Sequence, residues 1–225
     1  MDTNTISKNQ LQNQELMKIE LKRIQYYSRQ SEETNAFNAD LYIDGKKVGE
    51  ASNYGHGDPV SYGSSTEEGR KAIKEAEQYC LSLPKEEYTI GGNTHTYEMN
   101  LESYIGRIID DFVNEKELQK FRNRVDKLCI DGIVVGKPDK NVIAAYRYKI
   151  TILQILCKPK GEETIIEELK TKIMSLLKDG NIVLNKNIPE HILKAAGLVK
   201  GQYLDLKALK MQNVKNPKQK GGKSL

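Results

Sequence analysis

Gly55-His56-Gly57-Asp58 holds the residues of this chain best suited to chemistry. Two glycines open backbone shapes closed to other residues, and Pro59 keeps Asp58 out of a helix. The loop follows an extended segment and precedes Ser64-Ser65-Thr66, where a helix is expected to start. Free amides in such a loop, aided by a helix dipole, can hold an anion such as phosphate, and His56 can add a proton or a hydrogen bond. The spacing matches neither a P-loop nor a dinucleotide fingerprint. A tight loop that needs two glycines explains the same residues. Ligand binding at Gly55, His56, Gly57 and Asp58 is therefore an expectation for the geometry to weigh.

Other reactive types are dispersed. A metal site would draw on His56, Asp58, His95 and His191, but only His56 and Asp58 are close in sequence. Catalytic zinc usually takes three protein ligands, so no metal and no cofactor is expected. Cys80, Cys129 and Cys157 lie far apart at apolar positions, which reads as reduced, buried thiols. Carboxylate pairs occur at Glu32-Glu33, Asp110-Asp111, Glu162-Glu163 and Glu167-Glu168, and the three pairs expected on helices read as solvated surface. No Gly-x-Ser-x-Gly motif is present, and Tyr62-Gly63-Ser64-Ser65 reads as helix-cap chemistry. No catalytic constellation emerges, so an enzyme is not the first expectation.

Charge is concentrated at one end. Residues 206–225 hold Lys207, Lys210, Lys215, Lys218, Lys220 and Lys223 and no acid. Removing those six from the 35 bases leaves 29 against 31 acids, so the body is −2 while the whole chain is +4. Lysines of this kind give salt-sensitive, sequence-blind contact with nucleic acid through counterion release. The segment has no Arg and no aromatic, which argues against base readout or stacking. A solvating tail is the other reading. No stretch approaches the roughly 20 apolar residues of a membrane helix, and 1–15 is a polar, flexible leader without a signal region. A cytoplasmic setting is the expectation.

These residues must be positioned by elements legible in the chain. Segment 16–27 alternates like a strand with a phase slip near Lys22 and Arg23, the mark of a bulge. Phe37, Ala39, Leu41 and Ile43 alternate with Asn38, Asp40 and Tyr42, and Asp44-Gly45 turns the chain into a hairpin resumed at Val48. Ser65 and Glu68 form a capping-box pattern ahead of a helix with the stripe Ala72, Ile73, Ala76, Cys80 and Leu83, stopped by Pro84. A second hairpin is expected around Gly91-Gly92-Asn93, and Asn100 caps the next helix. The stripe Ile105, Ile108, Ile109 and Phe112 is out of phase with Leu118, Phe121, Val125 and Leu128, which predicts a break near Asn114. Strands are expected over 130–136 and from Val142 onward about the turn Lys137-Pro138-Asp139-Lys140-Asn141, with 142–157 open between strand and helix. A helix over 162–178 closed by Gly180, a strand over 182–184 and a short helix from Pro189 to Gly197 complete the pattern. The fold class is α+β, a small antiparallel sheet or hairpin lobe followed by a mainly helical lobe with short strands. The organisation is leader 1–15, first lobe 16–99, second lobe 100–205 and a basic disordered tail 206–225.

The run Ser31-Glu32-Glu33-Thr34-Asn35-Ala36-Phe37-Asn38-Ala39-Asp40-Leu41-Tyr42-Ile43-Asp44-Gly45-Lys46-Lys47-Val48-Gly49, then Asn53-Tyr54-Gly55-His56-Gly57, resembles an uncharacterised family of phage and bacterial mobile-element proteins. Leu128-Cys129-Ile130-Asp131-Gly132-Ile133-Val134-Val135-Gly136 and Leu184-Asn185-Lys186-Asn187-Ile188-Pro189 are similar to the same group. The resemblance spans 16–189 in scattered fragments and brings no catalytic residue with it. Asp58 stands where the family pattern has a further glycine. What it implies is a phage or mobile-element setting and action by binding, through a protein partner or self-assembly; contact with nucleic acid is expected from the tail lysines themselves. A virion or packaged cargo protein, or a small enzyme or sensor for a phosphorylated ligand at 55–58, are the alternatives.

Overall fold

The computed structural model describes residues 16–138 and 143–205, with the backbone alone for residues 86, 88–90, 93 and 95. The leader, the tail and most of the 137–141 turn lie outside the described residues. The fold is α+β, with two compact units that divide between Glu115 and Lys116.

In the first unit, β1 (Ile19–Tyr26), β2 (Phe37–Ile43), β3 (Lys46–Asn53) and β4 (Ser61–Gly63) form an antiparallel sheet in that order. The predicted bulge is present: the β1–β2 register shifts between Lys22 and Gln25, and Arg23 has φ 52°. Asp44 and Gly45, with φ 47° and 79°, make the hairpin turn between β2 and β3. Such left-handed pairs match the twist of the flanking strands. One residue breaks the expected alternation. Asp40 is buried on β2 because Arg23 and Lys47 close over its carboxylate.

Helix α1 (Glu67–Ser82) buries Gly69, Ile73, Ala76 and Cys80 along one stripe. Its N-cap is Thr66, one residue beyond the expected Ser65. Thr66 Oγ1 accepts from Gly69 N, and Ser64 Oγ accepts from Thr66 N. Gly69 lets the helix close on the sheet, since a Cβ there would lie 2.2 Å from Val48 O. Hairpin β5 (Glu86–Ile90) and β6 (Asn93–Tyr97) turns at Gly91 and Gly92 as expected. Phe37, Leu41, Leu101, Ile105 and Ile109 are the largest buried side chains of this core.

Helix α2 (Leu101–Cys129) starts at Asn100, whose Oδ1 accepts from Ser103 N at 2.7 Å. It runs unbroken through Asn114, against the predicted break. The phase slip is real but has another cause. Leu101, Ile105 and Ile109 belong to the core of the first unit, and Phe121, Val125 and Cys129 to a core in the second. Asn114, Glu115 and Lys116 between them are exposed. Two stripes serving two cores need no backbone interruption where the intervening residues favour helix.

In the second unit, β7 (Gly132–Gly136) lies between β8 (Ile143–Arg147) and β9 (Ile182–Val183), all antiparallel. The open stretch 142–157 proves to be strand and then helix: β8 gives way to α3 (Ile152–Leu156), capped by Thr151 and Gln154 in a reciprocal box. Helix α4 (Gly161–Glu168) continues through a π turn (Leu169–Ile173) and a 3-10 turn (Met174–Leu176). Helix α5 (Glu190–Ala195) follows Pro189, and Gly197 with φ 91° ends it. Buried Asn185 completes β7: its Oδ1 accepts from Val134 N and its Nδ2 donates to Gly132 O.

Candidate functional site

Asn53 ends β3 and organises the glycine loop. Its buried side chain accepts at Oδ1 from Gly55 N (2.6 Å) and from Thr34 Oγ1 (2.8 Å), and donates from Nδ2 to Asp58 O (2.6 Å). Gly55 O accepts from the amides of Glu32, Glu33 and Thr34 at 3.0, 3.0 and 3.3 Å. Gly57 N donates to Thr34 Oγ1 at 3.3 Å. The loop is thus zipped to the β1–β2 connection. Gly55 has φ +92°, and a Cβ on it would lie 2.1 Å from Gln30 O. Both glycine amides that an anion would need are engaged inside the loop. His56 Nδ1 faces Glu32 Oε2 at 3.3 Å, with both side chains largely exposed.

The four sequence-predicted residues do sit together, and Gly57 and Asp58 border an open groove of about 590 Å³. Its rim carries Glu32, Glu33 and Asp58 from the loops and Glu102 and Asp110 from α2, and among the described residues no lysine or arginine lines it. Asn35 Nδ2 donates to Asp110 Oδ1 at 2.8 Å, tying the connection to the helix. Pro59 and Val60 add apolar lining, Phe37 and Ile109 behind it are buried, and Gly106 leaves the helix surface bare. Among the described residues, no hydrogen bond or ion pair joins the carboxylates of Glu33, Asp58 or Glu102. Five carboxylates around such a rim attract cations and repel phosphate.

The remaining candidates do not converge here. His191 lies in the second unit, with Nε2 at 3.2 Å from Glu162 Oε2. The side chain of His95 and the six tail lysines lie outside the described residues. Among those residues, no group of three His, Cys, Asp or Glu has a metal-binding arrangement. Cys80 and Cys129 are buried, and burial pushes their thiols up to about 11 and about 12. Cys157 corrects the expectation of three buried thiols. It is exposed, because Ile152 and Ile155 take the buried side of the short α3 and Cys157 follows its end. Glu168 pairs with Lys172 at 2.7 Å in the favourable i, i+4 order.

Sequence reasoning missed Glu102, Gly106 and Asp110 as partners of the loop. They recur every fourth residue and therefore share a helix face. That spacing was the available signal, a polar strip beside the apolar stripe. Comparison with family models, curated proteins and solved structures found no match. Among the described residues, no helix is long and apolar enough to cross a membrane.

Proposed function

We propose that this protein acts by binding other proteins, as a non-enzymatic phage or mobile-element product, with a lysine tail able to touch nucleic acid. The observation that supports this reading is the groove bounded by Glu32, Glu33, Asp58, Glu102 and Asp110. A rim of carboxylates beside the apolar lining of Pro59 and Val60 suits a lysine- or arginine-bearing segment: the side-chain stem lies along that lining and the cationic head reaches the rim. The alternative of a phosphorylated ligand at 55–58 gains little support, since the loop amides are engaged and the nearby charge is negative. The virion or cargo alternative shares the same chemistry and differs only in the partner.

The test is titration of the full chain with a labelled oligolysine peptide, followed by fluorescence anisotropy. Binding that Glu33→Gln, Asp58→Asn and Glu102→Gln together weaken by at least about tenfold, or roughly 1.4 kcal/mol, is the expected result. Binding indifferent to those three changes overturns the groove as the docking site.

A further inference from the structure

We infer that the second unit carries a binding cavity of its own, for a small organic anion with an apolar body, at the corner where β8, α3 and α4 meet. The cavity has a volume of about 350 Å³. Small-molecule sites span about 300–1,000 Å³ and combine apolar walls with a few polar groups. Here Ile150, Ile155, Pro159 and the ring of Tyr148 supply the walls.

The backbone fixes the corner. Lys158 N donates to Ile155 O at 3.0 Å, Gly161 N donates to Lys158 O at 2.9 Å, and Lys160 takes φ 62° between them. Gly161 is buried, and a Cβ on it would lie 1.9 Å from Ile155 O, so α4 can start this close to α3 only on a glycine. The turn thereby holds Lys158 and Pro159 at the cavity, with Tyr148 and Lys149 arriving from the end of β8.

Charge in the cavity has one sign. Lys149 and Lys158 line it, and among the described residues no carboxylate does. Neither lysine has an ion pair among the described residues. Glu162 and Glu168 of α4 are engaged elsewhere, with His191 at 3.2 Å and Lys172 at 2.7 Å. The start of α4 has no side-chain cap, and its dipole adds to the same sign.

A second observation is independent of the lysines. Tyr148 lines the cavity, and its hydroxyl is buried without a hydrogen-bond partner. Buried hydroxyls in native proteins are almost always paired. Burial, and then the Glu168 carboxylate, push this phenol above its ordinary value, so it stays a neutral donor and brings no negative charge to the cavity. Two ammonium heads and this donor suit an anionic head, and the walls suit an apolar body. A bare inorganic ion would leave the walls wet, and a neutral compound would leave the lysines uncompensated.

The test is isothermal titration calorimetry of the full chain with octanoate and with octyl phosphate, which share a body and differ in the head. Acetate, inorganic phosphate and 1-octanol are the controls. At least one amphiphile is expected to bind at least about tenfold more tightly than its bare head and than 1-octanol, and the tighter of the two identifies the head. Three variants are each expected to weaken that binding: Lys149→Gln with Lys158→Gln by at least about tenfold, Thr164→Leu, which fills the cavity and leaves all charge in place, by a similar factor, and Tyr148→Phe by about threefold. The tail lysines are the same in every variant, so their contribution cancels, and urea midpoints establish that each variant is folded. Absence of binding, binding matched by a bare head or by 1-octanol, or indifference to any of the three variants overturns the inference. The carboxylate groove takes no part here. Glu33→Gln, Asp58→Asn and Glu102→Gln together are expected to leave amphiphile binding unchanged, so failure of either site is read separately from the other.

Discussion

Asp40 sits where an unpaired carboxylate would be costly, and its partners explain why it is tolerated. The Arg23 guanidinium and then the Lys47 ammonium hydrogen-bond to it and hold its carboxyl well below the ordinary 3.8, at about 2. The sign follows from the depressed value. The stabilisation is present above the ordinary carboxylate range and is lost as pH falls through the folded value. Acid unfolding followed by circular dichroism should therefore show a stability decline between about pH 4 and 2 that is shallower in Asp40→Asn. Gly55 supplies a second test. At φ +92°, with Gln30 O 2.1 Å from any Cβ, Gly55→Ala should cost roughly 2–3 kcal/mol in urea unfolding. Removing the Asn185 amide with Asn185→Ala should cost about 2–4 kcal/mol, because Val134 N and Gly132 O lose their buried partner together.

At the scale of elements, α2 matters most. It gives Leu101, Ile105 and Ile109 to one core, Phe121, Val125 and Cys129 to another, and Glu102, Gly106 and Asp110 to the groove. Its continuity through Asn114 predicts that Asn114→Pro destabilises by about 3 kcal/mol or more, the cost of proline inside a helix. A true break at that position would tolerate the change. Gly106→Ala should instead stabilise the protein by roughly 0.5–1 kcal/mol, measured by thermal or urea unfolding.

At the scale of the molecule, the uneven distribution of charge along the chain carries a prediction. The body is −2 against a tail of +6, so affinity for DNA should reside in the tail and fall steeply with salt. Light scattering with and without DNA, at low and high salt, checks this on the full chain and on a variant in which Lys207, Lys210, Lys215, Lys218, Lys220 and Lys223 are changed to glutamine. Binding by the full chain only at low salt, absent from the variant, is the expected result. Equal binding by both would place the DNA contact on the body.

Local order was legible wherever it depends on near neighbours. The Asp44-Gly45 hairpin, the β1 bulge, the Asn100 cap and the Pro189–Gly197 helix each follow from backbone sterics or a cap within a few residues. The α+β class follows from the same periodicities. The tertiary structure alone decided what depends on distant partners. The α2 phase slip implied a break until two cores were seen to use its two halves. Asp40 read as exposed until Arg23 and Lys47 were seen to cover it. The glycine loop read as a tight turn first and an anion cradle second, and only the fold showed Asn53 and Thr34 on its amides and α2 setting Glu102 and Asp110 beside it. Charge in a folded chain is summed in space, and sequence order does not reveal which carboxylates will share a wall.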